Sequence, residues 1–275
     1  MTLETARQQG SAILEKAAVP VPGLTAEVLL CHALRCERAY LYAHATDELT
    51  ELAWIHYGRY LNERLSGKPT QYITQRQEFF GRDFYVNADV LIPRPETEHL
   101  VEAVLRSSAR RIVDVGTGSG AIAISVALEL RRHVLACDIS TPALAVAACN
   151  VRKHAAPVTL FACDLLEAVQ PRSIDLLISN PPYIPGADSA NMQQEVRDWE
   201  PPVALFAGDT GFEIYRRLIA QAALAVRPGG RLYMELGYRS LDGVRELLAA
   251  QWDDFEVISD LAGWPRVIGA TICSH

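Results

Sequence analysis

Ile112-Val113-Asp114-Val115-Gly116-Thr117-Gly118-Ser119-Gly120, followed by the apolar run Ala121 to Leu130, is the stretch from which the fold reads outward. Four strand-like residues end in three glycines at every second position, and a helical pattern begins at once. Glycines permit a tight turn and close approach of backbone to a ligand, and the helix start presents free N–H groups. The spacing is G-x-G-x-G, with Ala121 where the dinucleotide fingerprint G-x-G-x-x-G places its third glycine. Downstream the alternation repeats: strand Val134 to Cys137, helix Thr141 to His154, strands Val158 to Phe161 and Ile174 to Ile178. Helix Glu213 to Val226, strand Arg231 to Leu236, helix Leu241 to Gln251 and strands Phe255 to Ile258 and Val267 to Cys273 complete it. Such alternation predicts a mostly parallel sheet covered by helices, with ligands at the carboxyl ends of its strands.

The strand exits carry the candidate chemistry. Asp138 ends the second strand, where a carboxylate accepts from two ribose hydroxyls; NAD and S-adenosylmethionine both need that contact. Asp164 is placed either to accept from an adenine amino group or to serve as a solvated helix cap, and Leu165 is placed to pack on the ring. The fourth exit is Ser179-Asn180-Pro181-Pro182-Tyr183. Two prolines stiffen it and remove two N–H donors. The Asn180 amide and the Pro181 carbonyl then offer acceptors to an N–H₂ group, and Tyr183 offers a flat surface to a planar substrate.

Residues 1–75 have helical periodicity, interrupted at Pro20-Val21-Pro22-Gly23 and Gly67-Lys68-Pro69, and predict several short helices with Asp47 or Thr50 as a cap. Leu52 and Ile55 repeat at helical spacing there, and Tyr40, Trp54 and Tyr60 read as core. From Gln75 to Ile92 the aromatic and branched residues around Gly81 and Asn87 predict a β-hairpin. Pro93-Arg94-Pro95-Glu96-Thr97-Glu98 then leads into a helix over His99 to Leu105, started by Pro95 or Thr97.

Composition is that of a globular chain, 49% hydrophobic and 21% charged. Net charge is −7, with −1 in residues 1–75, which argues against bare nucleic acid as the main partner. No apolar run is long enough for a membrane helix, and the start carries no secretory pattern. Six cysteines without a C-x-x-C pair read as reduced thiols of a cytoplasmic protein, and the seven histidines lack metal-ligand spacing, so no metal is expected.

Taken together, the glycine loop, Asp138, Asp164 and Asn180-Pro181-Pro182-Tyr183 resemble the class I S-adenosylmethionine-dependent methyltransferases that act on planar amide or amino nitrogens. The Phe79 to Glu98 segment, Glu200-Pro201-Pro202-Val203-Ala204-Leu205 with Gly208 and Tyr215-Arg216, and Arg227-Pro228-Gly229-Gly230 before Glu235-Leu236-Gly237 are similar to the HemK/PrmC family. The resemblance spans nearly the whole chain. It implies a Rossmann-like, mostly parallel seven-stranded sheet, with a helical substrate-recognition domain over 1–75, a hairpin linker over 76–92 and a methyltransferase domain over 93–275.

It also implies methyl transfer from S-adenosylmethionine, leaving S-adenosylhomocysteine, to the side-chain nitrogen of the glutamine in the Gly-Gly-Gln motif of class-1 peptide chain release factors. Gly116, Thr117, Gly118, Ser119, Gly120, Asp138, Asp164, Leu165 and Asn180 would hold the cofactor. Asn180, Pro181 and Tyr183 would carry catalysis, and Asn180, Pro181, Pro182 and Tyr183 would bind substrate. Gln75, Arg239-Ser240-Leu241 and Trp264-Pro265 depart from the family pattern away from that site. A DNA adenine-N6 methyltransferase uses a similar loop on a flipped base but needs a basic surface that the charge distribution does not supply. An NAD-dependent oxidoreductase fits the glycine spacing less well, and a cofactor-binding protein without turnover is the remaining reading.

Overall fold

A computed structural model describes residues 1–273, which divide into two compact units: Met1–Gln75 with Gln193–Trp199, and Arg76–Met192 with the chain from Glu200 onward. The first unit contains α1 (Leu3–Lys16), α2 (Pro22–Leu34), α3 (Arg38–Ala43), α4 (Glu51–Leu65) and α5 (Thr70–Thr74). Thr2 and Thr50 cap α1 and α4, their hydroxyls accepting from Thr5 N at 3.2 Å and Ala53 N at 3.3 Å. Proline at its first turn starts α2. Leu14, Leu29, Leu30, Tyr57 and Leu61 form the core of this unit. The buried stripe of α4 runs through Ala53, Tyr57, Leu61 and Arg64. That phase turns Leu52 and Ile55 to solvent; Tyr40 and Trp54, expected in the core, are exposed, whereas Tyr60 packs against it.

The second unit opens with a hairpin of β1 (Arg76–Phe79) and β2 (Arg82–Tyr85). Its two-residue turn, Phe80-Gly81, has φ of 51° and 68°, the left-handed pair that matches strand twist. After a 3-10 turn at Pro95–Thr97 come α6 (Glu98–Val104), β3 (Ile112–Val115), α7 (Ala121–Leu130), β4 (Val134–Asp138) and α8 (Thr141–His154). The chain continues through β5 (Val158–Ala162), β6 (Ile174–Ser179) and β7 (Ile184–Pro185). After a 3-10 helix at Gly186–Asn191 comes α9 (Gln194–Trp199), which belongs to the first unit and is held there by Glu195, whose carboxylate accepts from Arg64 at 2.6 Å. The remainder is α10 (Pro202–Leu205), β8 (Phe206–Gly208), α11 (Glu213–Ala225), β9 (Val226–Glu235), α12 (Leu241–Leu248), β10 (Trp252–Ser259) and β11 (Pro265–Ile272).

Seven strands form one sheet in the order β10-β11-β9-β6-β3-β4-β5. β11 alone runs against its neighbours β9 and β10. The order reverses between β3 and β6, which is the switch point where open sheets of this kind leave a crevice. The sheet is buried on both faces: Val113, Val115 and Leu177 pack with α11 and α12, while Ile112, Leu176 and Ile178 pack with α6 and α7. Register then places the exits. Val115 lies level with Cys137 on one side and Ser179 on the other, so Gly116, Asp138 and Asn180 leave the sheet side by side.

Candidate active site

The glycine loop is fixed from below. Gly116 N and Thr117 N both donate to the Cys137 carbonyl at 2.9 Å, and Thr117 Oγ1 donates to Asp114 Oδ2 at 2.7 Å. Burial pushes the fully enclosed Asp114 carboxyl up to about 7, against the Thr117 hydroxyl and the Ala123 N–H, which favour its charged form. Gly116, Gly118 and Gly120 all have positive φ. Space above Gly116 and Gly118 is open to 4 Å, whereas a Cβ on Gly120 would press on Ile124 at 3.1 Å, so Gly120 serves helix packing and the other two leave room for a ligand.

Asp138 accepts Gly118 N on Oδ2 at 2.8 Å and Ser140 N on Oδ1 at 2.9 Å. Burial raises its pKa and these backbone donors oppose the rise. Asn150, fully buried on α8, donates to the carbonyls of Ser119 and Tyr85 at 2.9 Å and accepts from Tyr85 N at 2.7 Å, tying the loop to the hairpin.

A cavity of about 850 Å³, its open mouth included, lies over these exits. Gly116, Gly118, Asp138, Asp164, Leu165, Asn180 and Pro182 line it, together with Val90, Pro201, Val203, Ala204 and Arg217. Asp164 Oδ2 is occupied by Arg217 at 2.7 Å. Thr117, Ser119 and Gly120 lie behind the lining as the frame of the loop. The fit to an adenosine-type ligand is direct: open glycine backbone, one carboxylate at a strand end, and apolar walls for a ring.

The Asn180 loop is set by contacts that the chain pattern did not disclose. Ser179 Oγ donates to the Val115 carbonyl at 2.8 Å, fixing the strand end. Asn180 Nδ2 donates to Thr97 Oγ1 at 3.2 Å, and Thr97 Oγ1 donates to Glu235 Oε2 at 2.5 Å. Glu235 is buried at the end of β9, and burial pushes its carboxyl up to about 7 against the Thr97 hydrogen bond. Pro181 is buried. The Tyr183 ring sits against Gly237, where a Cβ would fall 2.7 Å from Cδ2, so this ring packs beside the strand end and does not line the cavity. Tyr215 Oη donates to the Glu235 carbonyl at 2.8 Å and accepts from Gly237 N at 3.2 Å, locking the same turn.

One more pair closes the wall. Arg94 Nη2 donates to Glu200 Oε1 at 2.5 Å, and Ile92 N donates to Glu200 Oε2 at 3.4 Å. Glu200 immediately precedes the lining residue Pro201. Thr97, Glu235, Arg94, Glu200 and Asn150 are the residues for which the sequence offered no chemical role. The first four stand inside segments singled out for their family likeness, which was the available signal.

The seven-stranded order, with its switch point under a glycine-loop cavity, defines a class I S-adenosylmethionine-dependent methyltransferase fold. A solved structure of Thermus thermophilus 16S rRNA N2 G1207 methyltransferase, in complex with AdoMet and guanosine, shares it. That structure has a TM-score of 0.54 and 17% identity, covering 72% of this chain and 49% of that one. Family models for the PrmC N-terminal domain and the methyltransferase small domain match residues 5–74 and 95–197. The release factor glutamine methyltransferase of Koribacter versatilis is 44% identical over 98% of both chains. That of Nitratidesulfovibrio vulgaris is 43% identical over 98% of this chain and 93% of its own. The chain belongs to the release factor glutamine methyltransferase family.

Proposed function

We propose that this protein transfers a methyl group from S-adenosylmethionine to the side-chain nitrogen of the Gly-Gly-Gln glutamine of class-1 peptide chain release factors. The observation that carries the reading is that Asn180 lines the same cavity as Gly116, Gly118 and Asp138, so an amide-holding group opens onto a nucleoside-holding one. The glycine loop receives the charged end of the cofactor, Asp138 its ribose hydroxyls, and Asp164 and Leu165 its adenine. Bound there, S-adenosylmethionine supplies a methyl group already activated by sulfonium charge.

The remaining task is to position a poor nucleophile. An amide nitrogen must lie about 3 Å from the methyl, in line with the bond that breaks. Asn180 Oδ1 and the Pro181 carbonyl accept its two N–H groups, turning its remaining face to the cavity and stabilising the positive charge that develops on it. Tyr183, its ring packed on Gly237 outside the cavity, holds the turn behind Asn180 and Pro181 in place. The helical residues 1–75 act in recognition of the protein substrate, residues 76–92 link them to the transfer domain over 93–275, and the site of action is the cytoplasm, where translation terminates. Neither direct nucleic-acid binding nor a membrane enters this reading; among the described residues no helix is long and apolar enough to cross one.

The test is incubation of the protein with S-adenosylmethionine and an unmodified release factor, followed by peptide mass spectrometry. One added methyl on the motif glutamine is expected. An unmodified glutamine, with transfer to another acceptor, would replace the reading.

A further inference from the structure

Asn180 can receive a substrate N–H only if the oxygen of its side chain, and not its NH₂, faces the cavity. An isolated asparagine does not choose, because its two ends are nearly the same size. Here the choice is imposed from behind. Thr97 Oγ1 lies 2.5 Å from Glu235 Oε2 and 3.2 Å from Asn180 Nδ2, with Thr97 and Glu235 both buried. An ionised carboxylate only accepts, so the single Thr97 proton goes to Glu235 and the threonine oxygen keeps only lone pairs for Asn180. The NH₂ end must turn to Thr97, and Oδ1 is left for the ligand side.

We propose that Thr97 and Glu235 are positioning residues that set which end of the Asn180 amide meets the substrate nitrogen. This rests on the transfer reading given above and adds to it a direction of hydrogen bonding. Protonation of Glu235 reverses the chain. The carboxyl O–H donates to Thr97, the Thr97 hydroxyl turns its proton to Asn180, and the amide turns over to present NH₂, a donor, where an acceptor is required.

The groups facing Glu235 are the Asn180 side-chain amide, which hydrogen-bonds the carboxylate beside Thr97 and so also turns its NH₂ inward, Arg266 on β11, which favours the charge, Glu96 on the 3-10 turn, which opposes it, and the Tyr183 and Tyr215 hydroxyls. Burial outweighs Arg266 and holds the carboxyl at about 7. Because the folded value is raised, the productive direction is complete well above pH 7 and is lost as pH falls through it.

The experiment has two arms. In the first, single-turnover methylation of release factor is followed from pH 5.5 to 9 for wild type, Thr97→Val, Thr97→Ser and Glu235→Gln, with S-adenosylhomocysteine affinity and thermal midpoint as controls. Thr97→Val should lower the transfer rate tenfold to a hundredfold with cofactor affinity within twofold. Thr97→Ser, which restores a hydroxyl, should recover most of that loss, and Glu235→Gln should abolish the acid limb near pH 7. In the second arm the Asn180 side-chain ¹⁵N–¹H₂ signals, assigned by their loss in Asn180→Asp, are titrated without substrate. They should shift with an apparent pKa near 7 in wild type and not in Glu235→Gln. A folded Thr97→Val enzyme of normal rate, or Asn180 signals insensitive to pH in wild type, would overturn the relay. Failure of wild type to modify release factor would overturn the functional reading alone, since the second arm needs no turnover.

Discussion

Arg94 and Glu200 meet across 106 positions of chain, Arg94 Nη2 donating to Glu200 Oε1 at 2.5 Å. The Glu200 side chain is 1% exposed and that of Arg94 33%, so the carboxylate is the desolvated partner. Removing the cation with Arg94→Ala should cost roughly 2–4 kcal/mol in urea unfolding, below the full range for two buried partners because Arg94 is part-exposed. The Pro201 to Ala204 wall should loosen with it, seen as weaker S-adenosylhomocysteine binding in calorimetry.

Asp138 bonds to Gly118 N at 2.8 Å, so the carboxylate shapes the loop as well as facing the cavity. Asp138→Ala should weaken S-adenosylmethionine binding by about 2–3 kcal/mol, the scale of losing charge-assisted hydrogen bonds. Titration calorimetry reads this directly, and an unchanged affinity would remove Asp138 from the cofactor site.

Asn180 has the opposite expectation. Asn180→Ala should reduce methyl transfer by about a hundredfold or more while cofactor binding remains measurable, because the lost acceptor acts on the substrate nitrogen. Rapid-quench rates beside calorimetry separate the two effects.

Gly237 carries the Tyr183 ring at a distance no side chain can share. Gly237→Ala should displace that ring, lowering turnover with little change in S-adenosylhomocysteine affinity. Equal losses in both would mean that the whole strand end had moved.

Asp175 on β6 gives a pH prediction. Burial alone would raise its pKa, but the N–H groups of Arg111 and Arg110 and the Arg227 guanidinium outweigh burial and bring it down to about 2. A depressed carboxyl contributes stability that is present above the ordinary value near 4 and is lost as pH falls from there toward 2. Asp175→Asn should therefore destabilise by about 2 kcal/mol at pH 7. The gap to wild type should narrow below pH 4 in denaturant melts.

Much of the larger unit was legible because its period changes so cleanly. β3, α7 and α8 fall on the residues that alternation assigns, and β4, β5 and β6 end one residue later. β9 begins five residues before its expected start because Val226 to Gly230 extends it through a register shift against β6. β7, β8 and α10 are two to four residues long, too short for any period.

At the site, the glycine loop, Asp138 and the Asn180 loop each announce a strand exit, and parallel register brings them level. The roles of Arg94, Thr97 and Glu235 were not legible. A threonine in a proline-rich turn reads as a helix start, and nothing local says that a carboxylate 138 positions away will be buried against it. Packing of Tyr183 on Gly237 likewise depends on an absent side chain, which no periodicity reports.

The turn from Arg94 to Thr97, closed by its own N–H to carbonyl bond at 3.1 Å, reaches the cavity wall through Glu200 and the fourth strand exit through Asn180. The cavity wall and the Asn180 loop thus take their reference from one four-residue turn. In the proposed reaction a displacement of that turn would be common to methyl donor and acceptor, and would alter the gap between them less than the same displacement of one of two independently mounted pockets.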